Sequence, residues 1–188
     1  LLIDASISFL KASHPTVKIV QRDLVENPVP VLHQGIIAAI RSRPGELSNE
    51  QRLATLLSEN LISEIRTAEL LIIGAPMYNW SIPAALKAWV DQVMRVGHTF
   101  DYGVEGPQGL MKGKRAIIIQ TRGGAYSTPE KIHLDFQEPY LKTILGVMGI
   151  TAEFITVECV LANDKTFQRQ LNDAKALLQT SISQIIQT

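Results

Sequence analysis

The chain has 188 residues, and its 18 Lys and Arg are matched by 18 Asp and Glu, so its formal charge is zero. No overall basic field is present to hold nucleic acid or an anionic membrane, and no apolar run approaches the roughly 20 residues of a membrane span. A single domain over 1–188 is expected, burying about 70% of its unfolded surface, and the lone Cys159 excludes an intramolecular disulfide and fits a cytoplasmic protein.

The chain opens inside a helical pattern. Leu2, Ile3, Ile7 and Leu10 recur at helical spacing with no capping residue before them, so an upstream segment is expected. A helix over 1–12 stops at Ser13-His14-Pro15, and the alternation in 16–24 predicts a strand. The two prolines of "VENPVPVL" require a loop. A short helix over 33–40 ends at the Ser42-Arg43-Pro44-Gly45 turn. Ser48 and Gln51 form a capping box for a helix over 49–67, whose apolar stripe is Leu53, Leu56, Leu57, Leu61 and Ile65.

Leu70 to Ala75 is continuously apolar, as in a parallel strand covered on both faces. Ser81 is positioned to cap a helix over 82–96, with Pro83 in its first turn. A long Gly-rich connection over 97–114 leads to a second buried strand, 115–121, which runs directly into Arg122-Gly123-Gly124. A mostly helical stretch over 129–148, a strand over 152–160 holding Cys159, and a terminal helix over 166–186 complete the chain. Alternating strands and helices predict an α/β fold with an open parallel sheet, whose ligands sit at the carboxyl ends of the strands.

Two of those strand ends carry unusual residues. Paired glycines after Arg122 let the backbone turn sharply and approach a flat ligand, with exposed N–H groups to donate. The loop Pro76-Met77-Tyr78-Asn79-Trp80 lacks the Gly, Ser, Thr and Lys of a phosphate cradle. Its polarisable walls and few donors suit a large heteroaromatic with a polar edge; the competing reading is a hydrophobic staple or an interface patch. His14, His33, His98 and His133 are scattered without metal-ligand spacing, so no metal site is expected.

Taken in order, "PMYN", a helix opening "SIP", R-x-G-x-T-F (Arg95 to Phe100) and a strand ending "RGG" closely resemble the FMN-dependent NADH-azoreductase family, also called FMN-dependent NADH:quinone oxidoreductases. The resemblance runs the length of the chain and includes "PYLKTILGVMGI". It implies a flavodoxin-like three-layer α/β/α sandwich of strand order 2-1-3-4-5. The family's first strand and its Ser-rich phosphate loop would precede Leu1.

The resemblance also implies a homodimer with bound FMN. Electrons would pass from NADH, or NADPH, to a quinone or azo compound in a ping-pong reaction. Pro76, Met77, Tyr78, Asn79 and Trp80 would line one side of the isoalloxazine, and Thr121, Arg122, Gly123 and Gly124 would hold its pyrimidine end, with Tyr126 nearby. Asn79, Phe100 and Tyr102 would form substrate walls. No acid–base residue is required, because the cofactor carries the electron chemistry. The alternative is a non-catalytic flavodoxin-like dimer that binds or senses without a complete flavin site.

Overall fold

The computed structural model describes residues 1–41, 48–160 and 164–186. In chain order its elements are α1 (Leu2–Ser13), α2 (Gln34–Arg41), α3 (Asn49–Thr67), β1 (Leu70–Pro76), α4 (Ala84–Val93), β2 (Phe100–Gly103), β3 (Gly106–Gly109), β4 (Arg115–Thr121), α5 (Glu138–Met148), β5 (Thr151–Val157) and α6 (Asp164–Ile186). The expected turn at Ser42 to Gly45 lies outside the described residues.

Among the described residues the main sheet has the order β1-β4-β5, and both pairings are parallel. Leu70 lies opposite Arg115 and Arg115 opposite Thr151, while Pro76 faces Thr121 and Thr121 faces Val157. The strands therefore begin and end level, and the loops after β1 and β4 leave the sheet side by side.

Alternation along β4 divides the core. Ile117 and Ile119 join Ile155 and Val157 against Leu2 and Leu10 of α1 and Leu171, Leu178 and Ile182 of α6. Ala116 and Ile118 face the opposite layer, with Leu61 and Ile65 of α3, Leu86 and Trp89 of α4, and Leu141 and Met148 of α5. Helices thus cover both faces of the sheet, as the three-layer sandwich requires.

The capping box of α3 forms as expected: Gln51 N donates to Ser48 Oγ at 3.2 Å, and Ser48 N to Gln51 Oε1 at 2.9 Å. Other expectations are corrected. Residues 16–24 form no strand; they lie mostly exposed, and among the described residues no strand pairs with them, so the local alternation has no ladder to join. Among the described residues β1 pairs only with β4, and most of it is half-buried rather than enclosed. Leu53 and Leu56 face solvent, leaving Leu61, Ile62 and Ile65 as the buried stripe of α3. Strand β5 ends at Val157, so Cys159 lies beyond it, half-buried, with φ 54°.

The Gly-rich connection contains the antiparallel hairpin β2–β3. Gly109 packs directly on Gly149, where a Cβ on Gly109 would stand 2.2 Å from the Gly149 nitrogen. Met111 N donates to Met148 O at 2.9 Å. These contacts fix the hairpin at the end of α5 that leads into Thr151, the pole where the strands begin.

A buried knot secures the hairpin's other root. The Arg95 side chain is fully buried; Nη1 donates to Ser58 Oγ at 3.1 Å and to Glu59 Oε1 at 2.8 Å, and Nη2 lies 3.1 Å from His98 Nε2. Since guanidinium can only donate, His98 accepts at Nε2 as a neutral ring. Burial, and then the charge of Arg95, hold its pKa below the ordinary histidine value. The unfolded chain therefore takes up a proton near pH 6.5 that the folded chain resists, and stability falls as pH drops through that range. Urea unfolding of wild type and His98→Gln at pH 7.5 and 5.5 is expected to show the wild type's advantage shrinking at the lower pH. An advantage that grows on acidification would contradict this.

Candidate functional site

The loop after β1 begins as an extension of the ladder, with Met77 N donating to Thr121 O at 2.8 Å. Tyr78 and Ser81 then exchange both backbone hydrogen bonds, each 3.0 Å long, around the two-residue turn Asn79-Trp80. Those bonds occupy the backbone of Ser81, so helix α4 starts only after Pro83, and Ser81 does not cap it. Asn79 has φ 48° and Trp80 φ 66°, as a type I′ turn requires. Asn tolerates that region. Trp does not, and left-handed backbone costs such a residue about 1–2 kcal/mol.

Strain of this kind persists where the surroundings impose it, commonly at ligand sites. Tyr78 is 62% exposed and Trp80 49%, so they are not a staple holding α4 to the core. The turn presents two aromatic rings to solvent at the end of β1. Among the described residues the Asn79 and Trp80 amides have no acceptor.

After β4 the chain behaves differently from expectation at Arg122, whose side chain is 2% exposed and turned inward. Its Nε donates to Gln137 Oε1 at 3.2 Å. Nη2 donates to Asp135 Oδ2 at 2.8 Å, Gln120 Oε1 at 3.1 Å and Glu138 Oε2 at 3.4 Å, and Nη1 to Glu158 Oε1 at 3.3 Å. Its backbone N–H and C=O are also taken, by Val157 O and Val160 N. Arg122 is thus turned away from solvent and acts as a buried tie.

The two glycines that follow are free to donate. Among the described residues neither Gly123 N nor Gly124 N has an acceptor. A Cβ on Gly124 would stand 3.4 Å from the Tyr126 ring, so Gly124 lies close beside the hydroxyl end of that side chain. Glu158 fixes the far end of the loop, accepting at Oε1 from Tyr126 N (2.8 Å), Ser127 N (3.0 Å) and Ser127 Oγ (3.0 Å).

The structure therefore brings Pro76, Met77, Tyr78, Asn79 and Trp80 beside Thr121, Gly123, Gly124 and Tyr126 at the level ends of β1 and β4. It does not bring Phe100 and Tyr102 there. They meet edge to face, ring centroids 5.6 Å apart, on the hairpin at the opposite pole. No cluster of three potential metal ligands occurs among the described residues.

Sequence reasoning missed Asp135 and Gln137, because the helical period was extended back to residue 129. Only a 3-10 turn, Ile132–Leu134, precedes the start of α5 at Glu138. Pro139, in the first turn of α5, was the available signal for that boundary.

The donors and walls gathered here fit a flavin ring. Aromatic faces and free amides line a polar edge, with no free cation of Arg122 among them. Comparison with known proteins points the same way. The family model described as flavodoxin-like fold matches residues 1–181. An FMN-dependent NADH:quinone oxidoreductase of Hyphomonas neptunium is 44% identical over 151 residues, covering 80% of this chain and 72% of that protein. FMN-dependent NADH:quinone oxidoreductase 1 of Trichormus variabilis is 40% identical over 183 residues, 97% of this chain and 85% of that one. The crystal structure of azoreductase from Bacillus anthracis str. Sterne superposes with TM-score 0.84 at 25% identity, covering 95% of this chain and 89% of that one.

The tie at Arg122 makes a direct expectation. A lysine keeps the charge but cannot donate in a planar fork to acceptors on several sides, and it leaves buried carboxylates short of partners. Arg122→Lys is expected to lower unfolding stability by about 2–4 kcal/mol, read by urea denaturation. A change below about 0.5 kcal/mol would show that the network is not holding the loops.

Proposed function

The chain belongs to the FMN-dependent NADH:quinone oxidoreductases, a family of flavodoxin-like fold, and we propose which of its residues carry that activity. The observation that carries the assignment is the row of free amides and exposed aromatic faces at the level ends of β1 and β4.

When bound, FMN would supply the redox chemistry for two-electron transfer from NADH to a quinone or azo compound. The protein's part is to bind, orient and stabilise. Met77, Tyr78 and Trp80 give the ring its polarisable wall, and Pro76 closes β1 immediately before them. Asn79 and the neighbouring amides donate to the ring's polar edge. Thr121, Gly123 and Gly124 bound the pyrimidine end, where fixed amide dipoles favour negative charge without reorganising. Tyr126 backs Gly124. Arg122 serves indirectly, by holding the loop that contains those amides.

For substrate contact we assign Asn79 within one protomer, and Phe100 and Tyr102 through a homodimer. The hairpin lies at the far pole from its own protomer's strand ends, and Tyr102 is 69% exposed. A second protomer would bring the exposed Tyr102 ring, backed by the buried Phe100, over a flavin bound to the first. Among the described residues no helix is long and apolar enough to cross a membrane. We place the protein in the cytoplasm, where NADH is available and a lone thiol such as Cys159 stays reduced.

The test is spectroscopic. Purified protein titrated with FMN is expected to show a perturbed flavin spectrum that NADH bleaches and a quinone restores. Gly124→Val, which forces a side chain between the loop and Tyr126, is expected to weaken FMN binding at least tenfold, about 1.4 kcal/mol. Protein that leaves the FMN spectrum unchanged and shows no NADH oxidation would favour a non-catalytic binding module instead.

A further inference from the structure

The two ring-facing loops are joined by a short segment outside both of them. Asp135 Oδ1 accepts from Gln137 N at 2.9 Å and from Glu138 N at 3.1 Å, closing the first turn of α5. Phe136 N donates to Trp80 O at 3.0 Å, fastening the strained turn after β1. The Gln137 side chain is completely buried and divided between the two loops: Nε2 donates to Ala75 O at 2.7 Å, while Oε1 accepts from Arg122 Nε. Only one orientation of the amide satisfies both neighbours, since a carbonyl must accept and a guanidinium must donate.

Both polar atoms of the Gln137 side chain are thus directed at one loop or the other. Ala75 is the last buried residue before Pro76, and Arg122 immediately precedes the free glycine amides. The β1–β4 ladder, ending at Met77 N on Thr121 O, spaces the strands themselves. The buried Gln137 side chain ties the segment that fastens the Trp80 turn to both strand ends, and that tie sets where donors and aromatic faces stand relative to a flat ring. Positional errors near 1 Å are costly in such a site.

We propose that Gln137 is a positioning residue for the flavin, holding the loop after β1 and the loop after β4 at the separation an isoalloxazine needs. It touches neither flavin nor substrate; it acts through Ala75 and Arg122. This rests on the flavin-binding assignment above. Losing the bridge would relax the amides at the pyrimidine end, which matter more to the reduced ring than to the oxidised one, so affinity for reduced FMN would fall further than affinity for oxidised FMN.

The experiment compares wild type with Gln137→Leu, similar in volume but unable to bridge, and Gln137→Glu, which can still accept from Arg122 but cannot donate to Ala75 O. Oxidised FMN and the ring-only analogue lumiflavin are titrated by absorbance and fluorescence, midpoint potentials are measured, and unliganded proteins are melted. Both variants are expected to bind FMN and lumiflavin about tenfold more weakly by the same factor, with a shifted bound-flavin spectrum and a more negative potential. If Gln137→Leu fails to fold, Gln137→Glu is read by the same criteria. Variants that match wild type in affinity, spectrum and potential would overturn the positioning role while leaving flavin binding intact. A wild type that binds neither FMN nor lumiflavin would overturn both. A loss of thermal stability with unchanged spectrum and potential would reduce Gln137 to a structural residue.

Discussion

The guanidinium of Arg122 is the constraint on which the carboxyl end of the sheet depends. It sits almost wholly out of water and draws partners from β4 itself, from the residue after β5, and from the segment leading into α5. Burying a charge this deeply is unfavourable unless its donors are satisfied, and a planar fork with several N–H groups can satisfy them only if the partners converge. The price of that burial is a rigid geometry. Gln120, Asp135, Gln137, Glu138 and Glu158 cannot shift independently without stranding one of the charges.

This arrangement also decides what a ligand meets. A free arginine at the end of β4 would offer a mobile positive charge. With the side chain tied inward against three carboxylates, the groups offered at these strand ends include the Gly123 and Gly124 amides, the Asn79–Trp80 turn and the exposed ring of Tyr78. Oriented dipoles and polarisable rings suit a planar heteroaromatic that gains charge on reduction, and they do so without movement at the moment of reaction. The strain at Trp80 belongs to the same design, because reciprocal Tyr78–Ser81 bonds and the Phe136 donor over-determine a conformation that tryptophan alone would avoid.

Much of this was legible from residue order. Continuous apolar runs identified β1 and β4, the Ser48–Gln51 box marked α3, and the loops at Pro76 and Gly123 were conspicuous because their residue types did not suit an ordinary turn. What could not be read was non-local. The alternation in 16–24 is a local preference, whereas a strand needs a ladder, and none of the described strands pairs with it. Arg122 announces a charge but not its destination. Gln137 looks like any polar residue near a helix start until the fold brings Ala75 and Arg122 to its two ends. The hairpin was concealed in glycines, and its place at the opposite pole follows from close backbone packing of Gly109 on Gly149.

The central claim is that free amides at the level ends of β1 and β4 hold the flavin ring. Amide-resolved nuclear magnetic resonance of 15N-labelled protein titrated with FMN tests it most directly. The largest shifts are expected at Asn79, Trp80, Gly123 and Gly124, with little change in the backbone of Arg122, whose hydrogen bonds are already made. Saturable shifts elsewhere, with those four amides unmoved, would contradict the account.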